Sequence, residues 1–182
     1  NDYPTAIRPA MELIPLNEGI NRTSALIAMI RKDKLYMFAD TAVNIDPTAE
    51  EMAQIAIGAS HVAKAFNIEP RIAMLSFSNF GSAPSVQSKK VAKATKLVKE
   101  RDPGLIVDGE MQADTALSPE YRNQYFPFST LKDAANVFIF PSLNAGHISY
   151  KLLKELGEMT AVGPILMGFS KPVHILLRTQ QV

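Results

Sequence analysis

Short apolar bursts recur along the chain at the length of β-strands: "ALIAMI" (25–30), "LYMFA" (35–39), "IAMLSF" (72–77), "LIVDG" (105–109), "NVFIFP" (136–141), "GPILMG" (163–168) and "VHILL" (173–177). Most are continuous rather than alternating. Such strands need cover on both faces, so the pattern calls for a central sheet between two layers. The segments between bursts supply those layers. Thr48 and Glu51 stand in the S/T-x-x-E spacing of a capping box, in which two free N–H groups are satisfied reciprocally. Behind them Met52, Ile55, Ala56, Ala59, Ala63 and Phe66 recur every three or four residues, one stripe of an amphipathic helix that Asn67 and Pro70 end. A second helix is expected from about Ser85 to Arg101, with Val91, Ala94 and Val98 inward and "DPG" (102–104) as its stop. A third is expected from about Gly146 to Leu156, with Ile148, Leu152 and Leu156 inward and Gly157 as its cap. "RKDK", between the first two bursts, predicts a hairpin. Strands alternating with helices define the class: α/β, a mainly parallel sheet with helices on both faces.

Composition narrows the function. At 182 residues and 47% hydrophobic, the chain can bury a substantial core. Its 19 Lys+Arg against 18 Asp+Glu give no global argument for nucleic acid or an anionic membrane, and neither is expected as a partner. The absence of cysteine removes disulfides and thiol catalysis and fits a cytoplasmic location. No apolar run reaches the ~18 residues of a membrane span, and the N-terminus lacks the layout of a signal peptide. The chain opens "NDYPTAIRPAMELI" and stops soon after "VHILL", so it reads as a window cut from something longer.

Three polar turns each follow a burst and precede a helix. In "SFSNFGSAPS" (76–85), Ser76, Ser78, Asn79 and Ser82 offer hydroxyl and amide groups where a helix N-terminus can help hold a phosphate or carboxylate. The same residue types also serve as plain turn and capping residues, and both readings stay open. "VDGEMQAD" (107–114) places Asp108, Glu110 and Asp114 at a second strand exit, as a base and its orienting groups or as acids flanking a helix start. "PSLNAGHISYK" (141–151) sets Asn144, Gly146 and His147 at a third. With parallel strands these turns share one sheet edge, where open α/β sheets bind ligands. Neither a P-loop nor G-x-G-x-x-G is present, so nothing points to ATP or a dinucleotide. Lys89, Lys90, Lys93, Lys96 and Lys99 read as the solvated face of one helix. His61, His147 and His174 lack metal-ligand spacing, so no metal site is expected.

Taken in order, six stretches resemble the phosphate acetyltransferase/butyryltransferase family: "TAIRPAMELI", "FADTAVNIDPTAEEMAQIAI", "IEPRIAMLSFSNFGS", "DGEMQADTAL", "ANVFIFPSLNAGHISYKLL" and "AVGPILMGFSKPVHIL". The resemblance implies a two-domain α/β architecture, usually dimeric, that binds coenzyme A between its domains. Active members move acetyl between coenzyme A and phosphate. On this reading the architecture is truncated at both ends, with 20–165 as the central α/β domain and 1–19 and 166–182 as pieces of the second, incomplete one. Within the family, "YPTAIRP", "ADTAVNIDPTAEE", "SFSNFGSAPS" and "KPVHIL" are most similar to the phosphotransacetylase-like C-terminal part of large bacterial NADP-dependent malic enzymes. That similarity implies acetyl-CoA as an allosteric ligand and a homo-oligomer built from dimers. NADP and a divalent metal would belong to malic enzyme domains elsewhere in the same polypeptide.

The resemblance also implies a site. Arg8 matches a family arginine that contacts phosphate or coenzyme A. Where active members read K-P-V-N-D-L-S-R-G, this chain reads "KPVHILLRT". Leu177 thus takes the position of the active-site serine, Arg178 keeps the adjacent arginine, and His174-Ile175 replaces Asn-Asp. A leucine donates no hydrogen bond. Arg8, Ser76, Ser78, Asn79, Ser82 and Arg178 are expected at the anion end of the cleft, with Asn144, Gly146 and His147 on the same wall. The function expected from this pattern is an acetyl-CoA-binding regulatory domain without turnover, in a malic enzyme that converts malate to pyruvate. The alternative is an active phosphate acetyltransferase.

Overall fold

The computed structural model describes residues 9–10, 12–171 and 173. Strands β1 (Ser24–Arg31) and β2 (Lys34–Ala39) form the expected hairpin, with Arg31 opposite Lys34 across a two-residue turn. Lys32 takes φ 55 there, the left-handed conformation that so short a turn requires. Helix α1 (Ala49–Ala65) follows, opened by the Thr48–Glu51 box: the Glu51 carboxylate accepts from the Thr48 N–H at 2.8 Å and the Thr48 hydroxyl accepts from the Glu51 N–H at 3.2 Å. Strand β3 (Arg71–Leu75) leads to helix α2 (Val86–Arg101), capped by a Ser85–Ser88 exchange of the same form. Then come β4 (Ile106–Met111), the short helices α3 (Ala113–Leu117) and α4 (Pro119–Tyr125), β5 (Val137–Ile139), α5 (Leu143–Glu155) and β6 (Thr160–Met167).

The six strands form one sheet in the order β4-β3-β5-β2-β1-β6. β2–β5, β3–β5 and β3–β4 pair parallel, whereas β1 pairs antiparallel with both β2 and β6. Only β1 is therefore reversed. Side-chain alternation along the strands divides the core in two. Met37, Ile72, Met74, Val137 and Ile139 face Met52, Ile55, Ala56, Ala59, Val91, Ala94 and Val98 of α1 and α2. Phe38, Ala73, Leu75 and Phe138 face the other way, toward Ala116 of α3 and Ala145 and Tyr150 of α5. Each large side chain buried in this way contributes roughly 1.5–3 kcal/mol.

Several expectations are corrected. One sheet joins all six strands, and the described residues make a single α/β fold rather than a truncated two-domain fragment. Phe66 is 55% exposed because α1 ends at Ala65, and Phe66, as the C-cap residue, leaves the stripe. Ile148, Leu152 and Leu156 are 56%, 52% and 81% exposed: α5 docks through buried Gly146 with Ala145 and Tyr150 beside it, not through these three residues. The segment 112–135, unassigned from sequence apart from a helix start, is organised by Arg122. That side chain has no exposed surface, and its guanidinium donates to the carbonyls of Thr115 (2.6 Å), Ala116 (3.0 Å), Leu131 (2.8 Å) and Asp133 (2.5 Å). Burial lowers its proton affinity, an effect opposed by the charges of Asp108, Asp133 and Glu120. The burst 173–177, Arg8, Leu177 and Arg178 lie outside the described residues, except for Val173.

Candidate functional site at the carboxyl edge of the sheet

Because β2, β3, β4 and β5 run the same way, the chain leaves each of them at the same edge. The exit from β3 leads to α2 on one face, and the exit from its neighbour β5 leads to α5 on the other. The two backbones diverge and open a crevice, a topological switch point of the kind that binds ligands in α/β proteins.

Around that crevice the polar turns hold one another in place. Glu110, at the end of β4, is almost wholly buried. Its Oε1 accepts from the Ser78 hydroxyl at 2.8 Å and the Gly81 N–H at 2.7 Å, and its carbonyl accepts from the Phe80 N–H at 2.8 Å. The Ser78 hydroxyl also accepts from the Ala83 N–H at 3.1 Å. Asn79 accepts from the Gln112 N–H at 2.7 Å, while its own N–H donates to the Ser82 hydroxyl at 2.9 Å. The Ser76 hydroxyl accepts from the Ser78 N–H at 3.3 Å. Ser78 and Asn79 are thus buried in the framework of the loop, whereas Phe77, Gly81 and Ser82 remain exposed at the edge. Phe80 and Gly81 turn the chain back with φ 48 and φ 88, and the Phe80 ring lies 5.0 Å from both Phe126 and Phe128.

The β2 exit is held by a second buried carboxylate. Asp40 accepts from the N–H groups of Ala25, Ala42, Val43 and Asn44 and from the Asn44 side chain, at 2.5–3.3 Å. Helix α5 packs on this turn: a methyl at Gly146 would run into the Asp40 carbonyl oxygen, and His147 Nδ1 lies 3.1 Å from the Thr41 carbonyl. Asn144 and His147 are exposed. Lys90 ties the two groups of turns together. Its ammonium donates to Asp46 at 2.5 Å and to the Pro141 carbonyl at 3.0 Å, joining α2 to the β2 and β5 exits. The helical Lys pattern concealed this residue, since nothing in its spacing separates it from solvated neighbours.

The three carboxylates of 107–114 do not converge. Asp108 accepts from Lys99 (2.8 Å), the Ser129 hydroxyl (2.7 Å) and the Thr130 N–H (2.7 Å). Burial pushes its carboxyl up, but the hydrogen bonds from Lys99 and Ser129, the charge of Lys99 and the Thr130 N–H hold it below its ordinary value. Asp114 accepts from the Thr115 N–H in the first turn of α3. Gly109 separates Asp108 from Glu110 with φ 145, where any side chain would meet the Met74 carbonyl, and pairing with β3 shifts register there. Among the described residues no group of three His, Cys, Asp or Glu is placed to hold a metal, and no helix is long and apolar enough to cross a membrane.

Comparison with known proteins places this architecture. The family model "Phosphate acetyl/butaryl transferase" matches residues 1–182. The chain belongs to that family. It is 49% identical over 172 residues to the phosphate acetyltransferase of Bacillus subtilis, covering 94% of this chain and 53% of the relative. Among solved structures, the phosphotransacetylases of Staphylococcus aureus and Streptococcus pyogenes superpose with TM-scores of 0.92 and 0.91 at 40% and 45% identity, over 96% of this chain and 54% of each of theirs. The chain thus spans about half the length of these relatives. The NADP-dependent malic enzyme of Salmonella typhimurium is 42% identical over 176 residues, which make up 23% of that protein. Such a match stays within the stretch shared with the family and carries no malate or NADP chemistry to this chain. The expected malic enzyme regulator is accordingly corrected, together with its malic enzyme domains, its NADP and its metal. The expectation of no turnover rests on Leu177, on His174-Ile175 and on the likeness to the malic enzyme part. The whole-chain similarity to proteins named phosphate acetyltransferases overturns it.

Proposed function

We propose that this chain is part of a phosphate acetyltransferase that moves acetyl between coenzyme A and inorganic phosphate. The observation that carries the reading is the 49% identity, over 94% of the chain, to a protein of that name. In one direction a phosphate oxygen attacks the thioester carbonyl carbon of acetyl-CoA. The C–S bond breaks, the sulfur leaves as thiolate and takes up a proton, and acetyl phosphate forms. Charge develops on the carbonyl oxygen at the tetrahedral stage, and donors placed to meet it lower the barrier.

Arg8 and Arg178 are assigned, by family resemblance, to the phosphate or the phosphorylated end of coenzyme A. Ser76, Ser78, Asn79 and Ser82 form the loop that shapes the anion end, with Ser82 at the exposed edge and the other three fixing its form. Asn144, Gly146 and His147 are assigned to the same wall, at the start of α5. Leu177 supplies no donor, so the reaction on this reading relies on arginine and loop groups. The parent protein, assayed with acetyl-CoA and phosphate, is expected to release free thiol and acetyl phosphate in equal amounts. Thiol release that does not require phosphate would instead indicate hydrolysis and sink the assignment.

A further inference from the structure

We infer that Lys90 is a positioning residue of the candidate site: its ammonium braces the segment that leaves β3 against the segment that leaves β5, and so fixes the spacing of the groups assigned to the substrates. The inference rests on the transferase reading and extends it. The crevice exists because these two exits diverge, one toward α2 and the other toward α5 on the opposite face of the sheet. Divergence alone leaves the exits free to shift against each other. Lys90, in the second turn of α2, reaches across, and its Nζ donates to the Pro141 carbonyl at 3.0 Å, two residues beyond the end of β5. A second link closes the knot. The Leu143 N–H, in the first turn of α5, donates to the Ile45 carbonyl at 2.9 Å, and Asp46, next in the chain, accepts from Lys90 at 2.5 Å. Three strand exits thus meet at one ammonium.

The surroundings of Lys90 suit a brace better than an anion contact. Its side chain is 20% exposed, whereas Lys89, Lys93 and Lys96 on the same helix are exposed. Taking an ammonium out of water is costly unless bonded partners offset the loss, and Asp46 and the Pro141 carbonyl do so here. The neighbouring charge is acidic. Besides Asp46, Glu51 feels the same ammonium: hydrogen bonding from the Thr48 N–H, against burial, holds its carboxyl below the ordinary value, and the charges of Arg22 and Lys90 add to that. A substrate phosphate brought to Lys90 would meet both carboxylates. The braced segments, by contrast, carry the groups assigned to the site. Ser76, Ser78, Asn79 and Ser82 lead into α2 through its cap Ser85, and Asn144, Gly146 and His147 follow Leu143 in α5.

The test uses the full parent protein. Lys90→Met keeps the apolar stem and removes both contacts, and Lys90→Arg keeps the charge and the donors. Displacing the groups that orient two reactants is steeply costly, so kcat/KM in Lys90→Met is expected to fall about tenfold or more for acetyl-CoA and phosphate alike. Lys90→Arg is expected to stay within about threefold of the unaltered protein. All are compared at a temperature where circular dichroism shows them folded, so that a loss of stability alone leaves kcat/KM unmoved. A rise in KM for phosphate alone would make Lys90 a substrate contact and overturn the proposal. So would unchanged kinetics, or an arginine variant as impaired as the methionine one. A second readout does not depend on turnover: in Lys90→Met, amide exchange followed by mass spectrometry should quicken in 76–85 and 141–147 together. If the parent makes no acetyl phosphate, this joint loosening still supports the brace while the transferase reading fails. Faster exchange in neither segment, or in one alone, overturns the brace in either case.

Discussion

At the scale of single residues, the fold depends on buried charges that satisfy backbone groups rather than one another. Arg122 is the extreme case: four carbonyls from two stretches of chain converge on one guanidinium. Arg122→Met fits the volume but orphans those carbonyls, each costly to leave unpaired in the interior. We predict a loss of about 3–5 kcal/mol, read as a lower urea midpoint at unchanged slope. Gly146→Ala is expected to be disproportionately damaging for one methyl, because its new carbon meets the Asp40 carbonyl oxygen. Overpacking of this kind costs about 1–3 kcal/mol, and loosening of the β2 exit should appear as faster amide exchange at residues 41–44. Leu177→Ser tests the resemblance in the opposite sense. Restoring a donor at that position should raise kcat for acetyl phosphate formation by about tenfold or more, and an unchanged kcat would show that the position does not face the reacting atoms.

Among elements, the candidate site is a set of strand exits braced by carboxylates from inside the sheet. Glu110→Gln keeps the size of the side chain but replaces a charged acceptor of the Ser78 hydroxyl and Gly81 N–H with a neutral one. We expect KM for both substrates to rise several-fold while the melting temperature falls by only a few degrees. Cooling far below that temperature should not restore KM if the loop itself has changed shape. How much of this was legible depended on the element. The cap of α1 is plain, since Thr48 and Glu51 encode hydrogen bonds made within one turn, and for α2 the start near Ser85 is legible but not its exchange with Ser88. The strands were plain because the bursts are continuous. Helices α3 and α4, of 5 and 7 residues, are too short to show a period. The stripe on α5 was misread because periodicity reports an apolar face but not what covers it. Asp40 and Glu110 went unrecognised as anchors, since their partners are backbone groups brought near by tertiary pairing. Lys90 was hidden among surface lysines for the same reason.

For the whole molecule, acid is expected to reveal the Asp108 contribution. Its carboxyl titrates below the ordinary aspartate value in the folded state, so its contribution to stability is fully present above that ordinary value, 3.8. It is lost as pH falls through the lower folded value. Asp108→Asn should therefore lower stability at neutral pH and flatten its decline in that acid window, as followed by urea titrations at a series of pH values. Sheet order has a consequence of another kind. β5, only three residues long, is the seam that joins the β1–β2–β6 half to the β3–β4 half, because β2 and β3 each pair with β5 and not with each other. A chain emerging from the ribosome therefore has a hairpin and a separate parallel pair to hold, with both apolar flanks open, until residues 137–139 arrive. The seam closes only when β5 arrives, and between residues 111 and 137 the growing chain carries a hairpin and a parallel pair that need shelter from other copies.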